Sequence, residues 1–88
     1  MTVANASSYI IRELYIAPTD SAYWGDDLLG YDLLYPGEEI TITGLACDLY
    51  DMRVVDEFYI ACDLYDVELC DADGIWVITD ETLFHCPF

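Results

Sequence analysis

The groups in this chain best suited to chemistry are its carboxylates, its four cysteines and one histidine. Asp71-Ala72-Asp73-Gly74 sets two carboxylates two positions apart ahead of a glycine, the opening spacing of a calcium loop. Calcium takes six to eight oxygen ligands, and this stretch lacks the third Asp and the later Glu of a helix-loop-helix site. An Asp-rich hairpin turn is the plainer reading of Asp71 and Asp73, with a weak cation site as the alternative. Asp26 and Asp27, joined by Asp20, form a second acidic group, read as a solvated loop before it is read as a metal site. The chain implies no cofactor, and Ca²⁺ is the one ion these carboxylates suit.

Cys47, Cys62, Cys70 and Cys86 are an even set in a short chain, which fits disulfides formed in an oxidising compartment. Buried free thiols are the alternative; no two stand at C-x-x-C spacing, so a zinc centre built from two close ligand pairs is disfavoured. Two bridges allow three connectivities, and spacing does not choose among them. His85, beside Cys86, is the only side chain poised to act as a general base. Carboxylate pairs that could cleave glycosides are unavoidable by chance among 18 acids. The expectation is a protein that is not an enzyme.

The net charge is −16, with Arg12 and Arg53 the only basic residues apart from the histidine. Nucleic acid and anionic membrane surfaces bind through Lys and Arg, so neither suits this chain as a partner. Basic proteins, divalent cations and the chain itself in salt-rich surroundings remain, and the acidity equally fits a halophile or an edited sequence. At physiological salt the Debye length is only ~8 Å, so much of the self-repulsion is screened. No run approaches the ~18 apolar residues of a membrane span. Met1–Asn5 has neither a basic n-region nor an apolar core, so an extracellular or periplasmic protein would already have lost its leader. Asn5-Ala6-Ser7 is a glycosylation sequon only in a eukaryotic secretory setting.

Positioning any of these groups falls to short strands. At 56% hydrophobic the chain is too apolar to be disordered, and residues 1–88 are read as a single acidic domain. Strand candidates are Ser8–Ile16, Asp32–Leu34, Glu39–Leu45, Tyr50–Asp56, Phe58–Leu69 and Ile75–Thr79. In the first, Ile10, Leu14 and Ile16 are expected inward, with Arg12 spoiling the alternation. In the fifth, the apolar parity slips near Leu64-Tyr65, which predicts a bulge. Pro36-Gly37 predicts a type II turn, and Asp71–Gly74 another turn. Asp80–Phe88 reads as a tail, and no stretch carries helical periodicity over ten residues. The expected fold is all-β, a small antiparallel β-sandwich of about six to seven short strands. Ala46–Asp51 recurs as Ala61–Asp66, which reads as two neighbouring strands of one hairpin. Trp24 is expected as a lid over the core end, with a ligand-stacking aromatic as the alternative. Tyr9, Tyr15, Tyr59 and Tyr65 are either an exposed interaction surface or a second inner layer.

Tyr9–Pro18, Trp24-Gly25-Asp26-Asp27-Leu28-Leu29-Gly30, Tyr35-Pro36-Gly37-Glu38 and Tyr50–Asp56 resemble a family of small secreted bacterial β-domains of unknown function. Its members carry a strand ending in LYVSPS, a WGxDLLG loop, a PG turn and a YDLRVVD hairpin. Gly44–Asp56 is also similar to sandwich modules of the transthyretin-like and carboxypeptidase-regulatory type. This chain has Glu57-Phe58-Tyr59 where such hairpins read Asp-Gly. The resemblance implies the sandwich and an extracytoplasmic setting, and supplies no catalytic residues. The functional expectation is a non-enzymatic extracytoplasmic module for protein binding or assembly. The alternatives are a Ca²⁺-dependent binding domain and a self-assembling subunit of a filament or surface layer.

Overall fold

Apolar residues at every second position of Asp48–Asp56 bury Tyr50, Met52 and Val54 and leave Asp51 and Arg53 on the opposite face, as strand pleating requires. In the computed structural model, which describes residues 1–70 and 74–84, this strand is the middle of a sheet. The strands are β1 (Thr2–Asn5), β2 (Ile11–Pro18), β3 (Glu39–Thr41), β4 (Asp48–Asp56), β5 (Ala61–Leu69) and β6 (Ile75–Ile78), followed by a short helix α1 (Asp80–Phe84). They form two three-stranded sheets, β2-β4-β5 and β3-β1-β6. Every pairing is antiparallel except β1 with β6, which is parallel. Val3 and Ile78 from one sheet meet Ile11, Leu14, Val54 and Cys62 from the other in a shared core. The fold is the small, mostly antiparallel all-β sandwich that the alternation predicts.

Two phase shifts decide which side chains reach that core. In β2, register with β4 slips between Ile11 and Glu13, so Arg12 is the extra residue of a bulge. Ile11 and Leu14 are therefore both fully buried while Ile10 is only half-buried. The expectation that Ile10 faces inward is corrected on this ground: strict alternation was carried across a residue that resets it. In β5 the shift lies where the parity slip placed it. Tyr50 pairs with Val67 but Met52 with Leu64, and Asp66 in the bulge has φ 57°.

The β4–β5 hairpin turns without the usual Asp-Gly. The buried Asp56 carboxylate accepts from the Phe58 and Ile60 amides at 2.8 and 3.1 Å, and Tyr59 takes the left-handed conformation at φ 62°. At the other end of this hairpin Cys47 is bonded to Cys70, next to the Asp48–Leu69 pair. Cys62 is also disulfide-bonded; Cys86 lies outside the described residues. The two copies of the six-residue repeat do enter neighbouring antiparallel strands. Pro36-Gly37 makes the expected turn, with the Glu38 amide donating to Tyr35 O at 3.0 Å and Gly37 at φ 88°. Asp32–Leu34 supplies only a single bridge, Leu34 to Ile11, and Glu39–Leu45 shortens to β3.

β1, at the middle of its sheet, carries no alternation long enough to be read. Its second inward residue is Asn5, 1% exposed. The Asn5 amide donates to Tyr9 O at 2.8 Å and Leu34 O at 2.9 Å and accepts from the Ser7 amide at 3.0 Å and the Ser7 hydroxyl at 2.6 Å. Both nitrogen hydrogens are used, so the sequon reading has no accessible amide to act on. The tail reading is likewise corrected over Asp80–Phe84. There Thr79 and Thr82 cap the helix start reciprocally, the Thr82 amide donating to the Thr79 hydroxyl at 3.1 Å and the Thr79 amide to the Thr82 hydroxyl at 3.3 Å, and Leu83 enters the core.

Replacing Asn5 by Ala removes the side chain's four hydrogen bonds and leaves the buried Ser7 amide without its acceptor, and is expected to cost about 3 kcal/mol, whereas Glu39→Gln at an exposed site stays within about 0.5 kcal/mol; urea unfolding followed by circular dichroism measures both. The Cys47–Cys70 bond spans 23 residues, so a Cys47→Ala/Cys70→Ala double variant is expected to lose about 3 kcal/mol in the same titration.

Candidate functional site

The outer face of the β2-β4-β5 sheet gathers most of the aromatic and charged groups that interact with one another. Tyr15 and Arg53 are register partners across β2 and β4, as are Arg53 and Asp63 across β4 and β5. Arg53 donates from Nε and Nη2 to the two Asp63 oxygens at 2.6 and 2.7 Å, a bidentate fork. Its guanidinium also lies over the Trp24 ring, 4.6 Å from the centroid, within cation–π range. Trp24 in turn leans on Tyr15, with centroids 6.4 Å apart. The Tyr65 hydroxyl donates to Asp63 at 3.1 Å, and the Tyr15 hydroxyl donates to Glu13. Trp24 is thus placed on the outside of the sheet, not as a lid on the core. The reason is a ring whose best partner is a cation, and Arg53 points outward.

At the end of this face a cavity of about 190 Å³ is lined by Tyr23, Trp24, Tyr65, Pro18 and Asp51 among others. Asp51 is braced by the Thr19 hydroxyl at 2.9 Å and the Asp66 amide at 3.1 Å, both on Oδ1. Tyr23 and Tyr65 are 82% and 62% exposed. Tyr9 and Tyr59 are also exposed, and Tyr15 is half-buried. The four tyrosines therefore lie at the surface and form no second inner layer. Tyr59 carries the Arg12 guanidinium at 4.5 Å, so each arginine sits on an aromatic ring of this protein.

The hydrogen bond from Arg53 holds the Asp63 carboxyl below its ordinary value, and the same bond raises Arg53. The Tyr65 phenol is raised, first by its bond to Asp63. Tyr15 is pushed up to about 12 by its bond to Glu13, with burial adding to the shift. These shifts oppose proton transfer near neutrality: the phenols stay protonated, Asp63 stays ionised, and arginine holds its proton. The face is built to present rings and fixed charge.

Of the acids read as metal candidates, the described ones serve the backbone or water. Asp27 Oδ1 accepts from the Leu14 and Leu29 amides at 2.9 and 3.0 Å, which staples the Trp24 loop to β2. Asp26 beside it is exposed. Asp71 and Asp73 lie outside the described residues, as does His85. Among the described residues no three of His, Cys, Asp and Glu converge on a point that could hold a metal ion, and no helix is long and apolar enough to cross a membrane. The Arg53–Trp24 contact escaped sequence reasoning, although the outward parity of Asp51 and Arg53 was visible; the loop that brings Trp24 over has no periodic signal. Comparison with protein families, curated proteins and solved structures returns no match.

Because the folded carboxyl of Asp63 titrates below 3.8, its contribution is present above that pH and is lost as pH falls through the lower folded value. Asp63→Asn is expected to cost about 1 kcal/mol at neutral pH, as for a partly exposed cross-strand ion pair. The gap in melting temperature between parent and variant should close as the pH is lowered below 3.8. Tyr15 gives the opposite sign: its contribution is intact below 10.0 and is lost as pH rises through about 12.

Proposed function

We propose that this protein is a non-enzymatic extracytoplasmic binding module that takes a basic protein partner on the outer face of its β2-β4-β5 sheet. The observation that carries the reading is the row of exposed Tyr23 and Tyr65 and half-buried Trp24 beside Asp51, rings next to a braced carboxylate. Exposed aromatic residues are the side chains most often found anchoring protein interfaces, and carboxylates beside ring faces suit lysine and arginine heads. Both of the chain's own arginines are already engaged on rings, so the surplus of 16 negative charges is left for a partner to meet. The Cys47–Cys70 disulfide fits an oxidising compartment. The resemblance to small secreted bacterial β-domains points the same way, and we keep it as a proposal of kinship.

The test is calorimetric titration with an oligolysine peptide in low and high salt. Micromolar binding is expected in dilute buffer. It should weaken at least ~10-fold toward 1 M NaCl, where the Debye length falls to ~3 Å. A Trp24→Ala/Tyr65→Ala variant, checked for an unchanged fold by circular dichroism, should also bind at least ~10-fold more weakly. Equal affinity in parent and variant, or heat that ignores salt, overturns the assignment to this face.

A further inference from the structure

Among the described residues, four strand edges are left at the sides of the two sheets: β2 and β5 in one, β3 and β6 in the other. Open edges invite pairing with another chain, and natural proteins usually blunt them. Three of these four are blunted. β2 carries the Arg12 bulge, the Leu34 bridge and a terminal Pro18. β3 is three residues long with Glu39 on it. β5 has the Asp66 bulge and the acids Asp63, Asp66 and Glu68. β6, Ile75-Trp76-Val77-Ile78, has no charge, no proline and an unbroken register with β1. Its outward residues Ile75 and Val77 are 65% and 47% exposed.

Beside that edge the described residues leave the sandwich open. A cavity of about 630 Å³ lies between β5 and β6, lined by Met52, Leu64, Val67 and Leu69 on one side and Ile75 and Trp76 on the other. Its volume falls in the range of sites that enclose a ligand, and its walls are nearly all apolar, with Glu68 the acid among them. Strand addition needs this pair of features: an edge that offers main-chain hydrogen bonds, and a pocket for the added strand's alternate side chains.

We propose that the gap between β5 and β6 receives an extended peptide segment of a basic partner, alternating large apolar residues with lysine or arginine. The segment pairs with the β6 edge, sends its apolar side chains in toward Trp76, Leu64 and Val67, and sets its cations toward water and Glu68. Charge selects this occupant over a second copy of the chain. A second copy brings another 16 net negative charges, and its arginines are engaged on Tyr59 and Trp24. This inference rests on the reading that the protein works by binding, but it uses a surface separate from the Trp24 face.

The probe is a short fluorescein-labelled peptide of alternating lysine and leucine, followed by anisotropy, beside the same peptide N-methylated on every second residue so that one edge cannot hydrogen-bond. The parent peptide is expected to bind at least ten-fold more tightly than the methylated one. Val77→Lys on β6 should weaken it at least ten-fold, and oligolysine should not displace it. Equal affinity of the two peptides overturns strand addition. If oligolysine binds in that same case, the binding-module reading stands and only the groove proposal falls. If neither peptide nor oligolysine binds, the reading beneath it falls too. Light scattering that finds a dimer at 1 M salt, reverting to monomer in Val77→Lys, reassigns the groove to a second copy and overturns the basic partner.

Discussion

A buried amide that must satisfy every one of its hydrogen bonds fixes how three separate segments meet. Asn5 sits on the central strand of its sheet with its side chain out of water. An unpaired amide there would cost several times what one hydrogen bond contributes. Its partners are Tyr9 O, Leu34 O and the two donors of Ser7, so the connection into β2 and the loop after Gly30 are both held to β1. The Leu34–Ile11 bridge follows from that placement, and with it the seat of Ile11 at the centre of the core. An apolar residue at position 5 could fill the space but would specify none of this, and it would leave the Ser7 amide unpaired.

The acidity of the chain takes on a different meaning once the partners of its carboxylates are known. Asp27, Asp56 and Asp80 each hold backbone amides: Leu14 and Leu29, Phe58 and Ile60, and Ser8 at 2.5 Å. Glu38 and Glu57 do the same for Tyr35 and Ile10, at 2.8 and 3.2 Å. A carboxylate is a strong acceptor of amide hydrogens, and a chain with long connections between short strands has many amides without ladder partners. A substantial part of the negative charge therefore serves as the clasps of the loops. A purely solvated surface, the reading suited to a halophile, does not require such partners.

What was legible in the sequence follows from length and periodicity. β4 and β5 are nine residues each, long enough for alternation to declare both the strand and the fault in it. The β5 bulge could be located because apolar parity changes on either side of Leu64-Tyr65. The β2 bulge carries a weaker mark, one arginine out of phase, and a single residue does not show which of Ile10 and Ile11 turns inward. β1 and β6 have four residues each, and β1 spends one of its two inward positions on Asn, so burial there left no apolar trace. The helix at Asp80–Phe84 is a single capped turn, below any periodic signal. The Cys47–Cys70 pairing needed the register of β4 against β5, a tertiary fact. Trp24 was misplaced for a related reason: its partner Arg53 lies 29 positions away, and only the sheet brings them together.

The same topology explains why one side of the sandwich stays open. The link from Leu69 to Ile75 is short, so β6 must start close to where β5 ends. Yet β6 draws its hydrogen bonds from β1, running parallel to it in the opposite sheet. β6 gives one edge to β1 and lies in the sheet opposite β5, and stacked sheets lie ~10 Å apart against the ~4.8 Å between paired strands. That difference leaves a gap about one side-chain layer deep, and Met52, Leu64 and Trp76 line it without filling it. The opening at this seam is therefore the geometric result of a chain that changes sheets over a short link. The absence of charge or proline on β6 is a separate matter, because topology does not demand it, and three other edges show that this sequence has the means to blunt a strand.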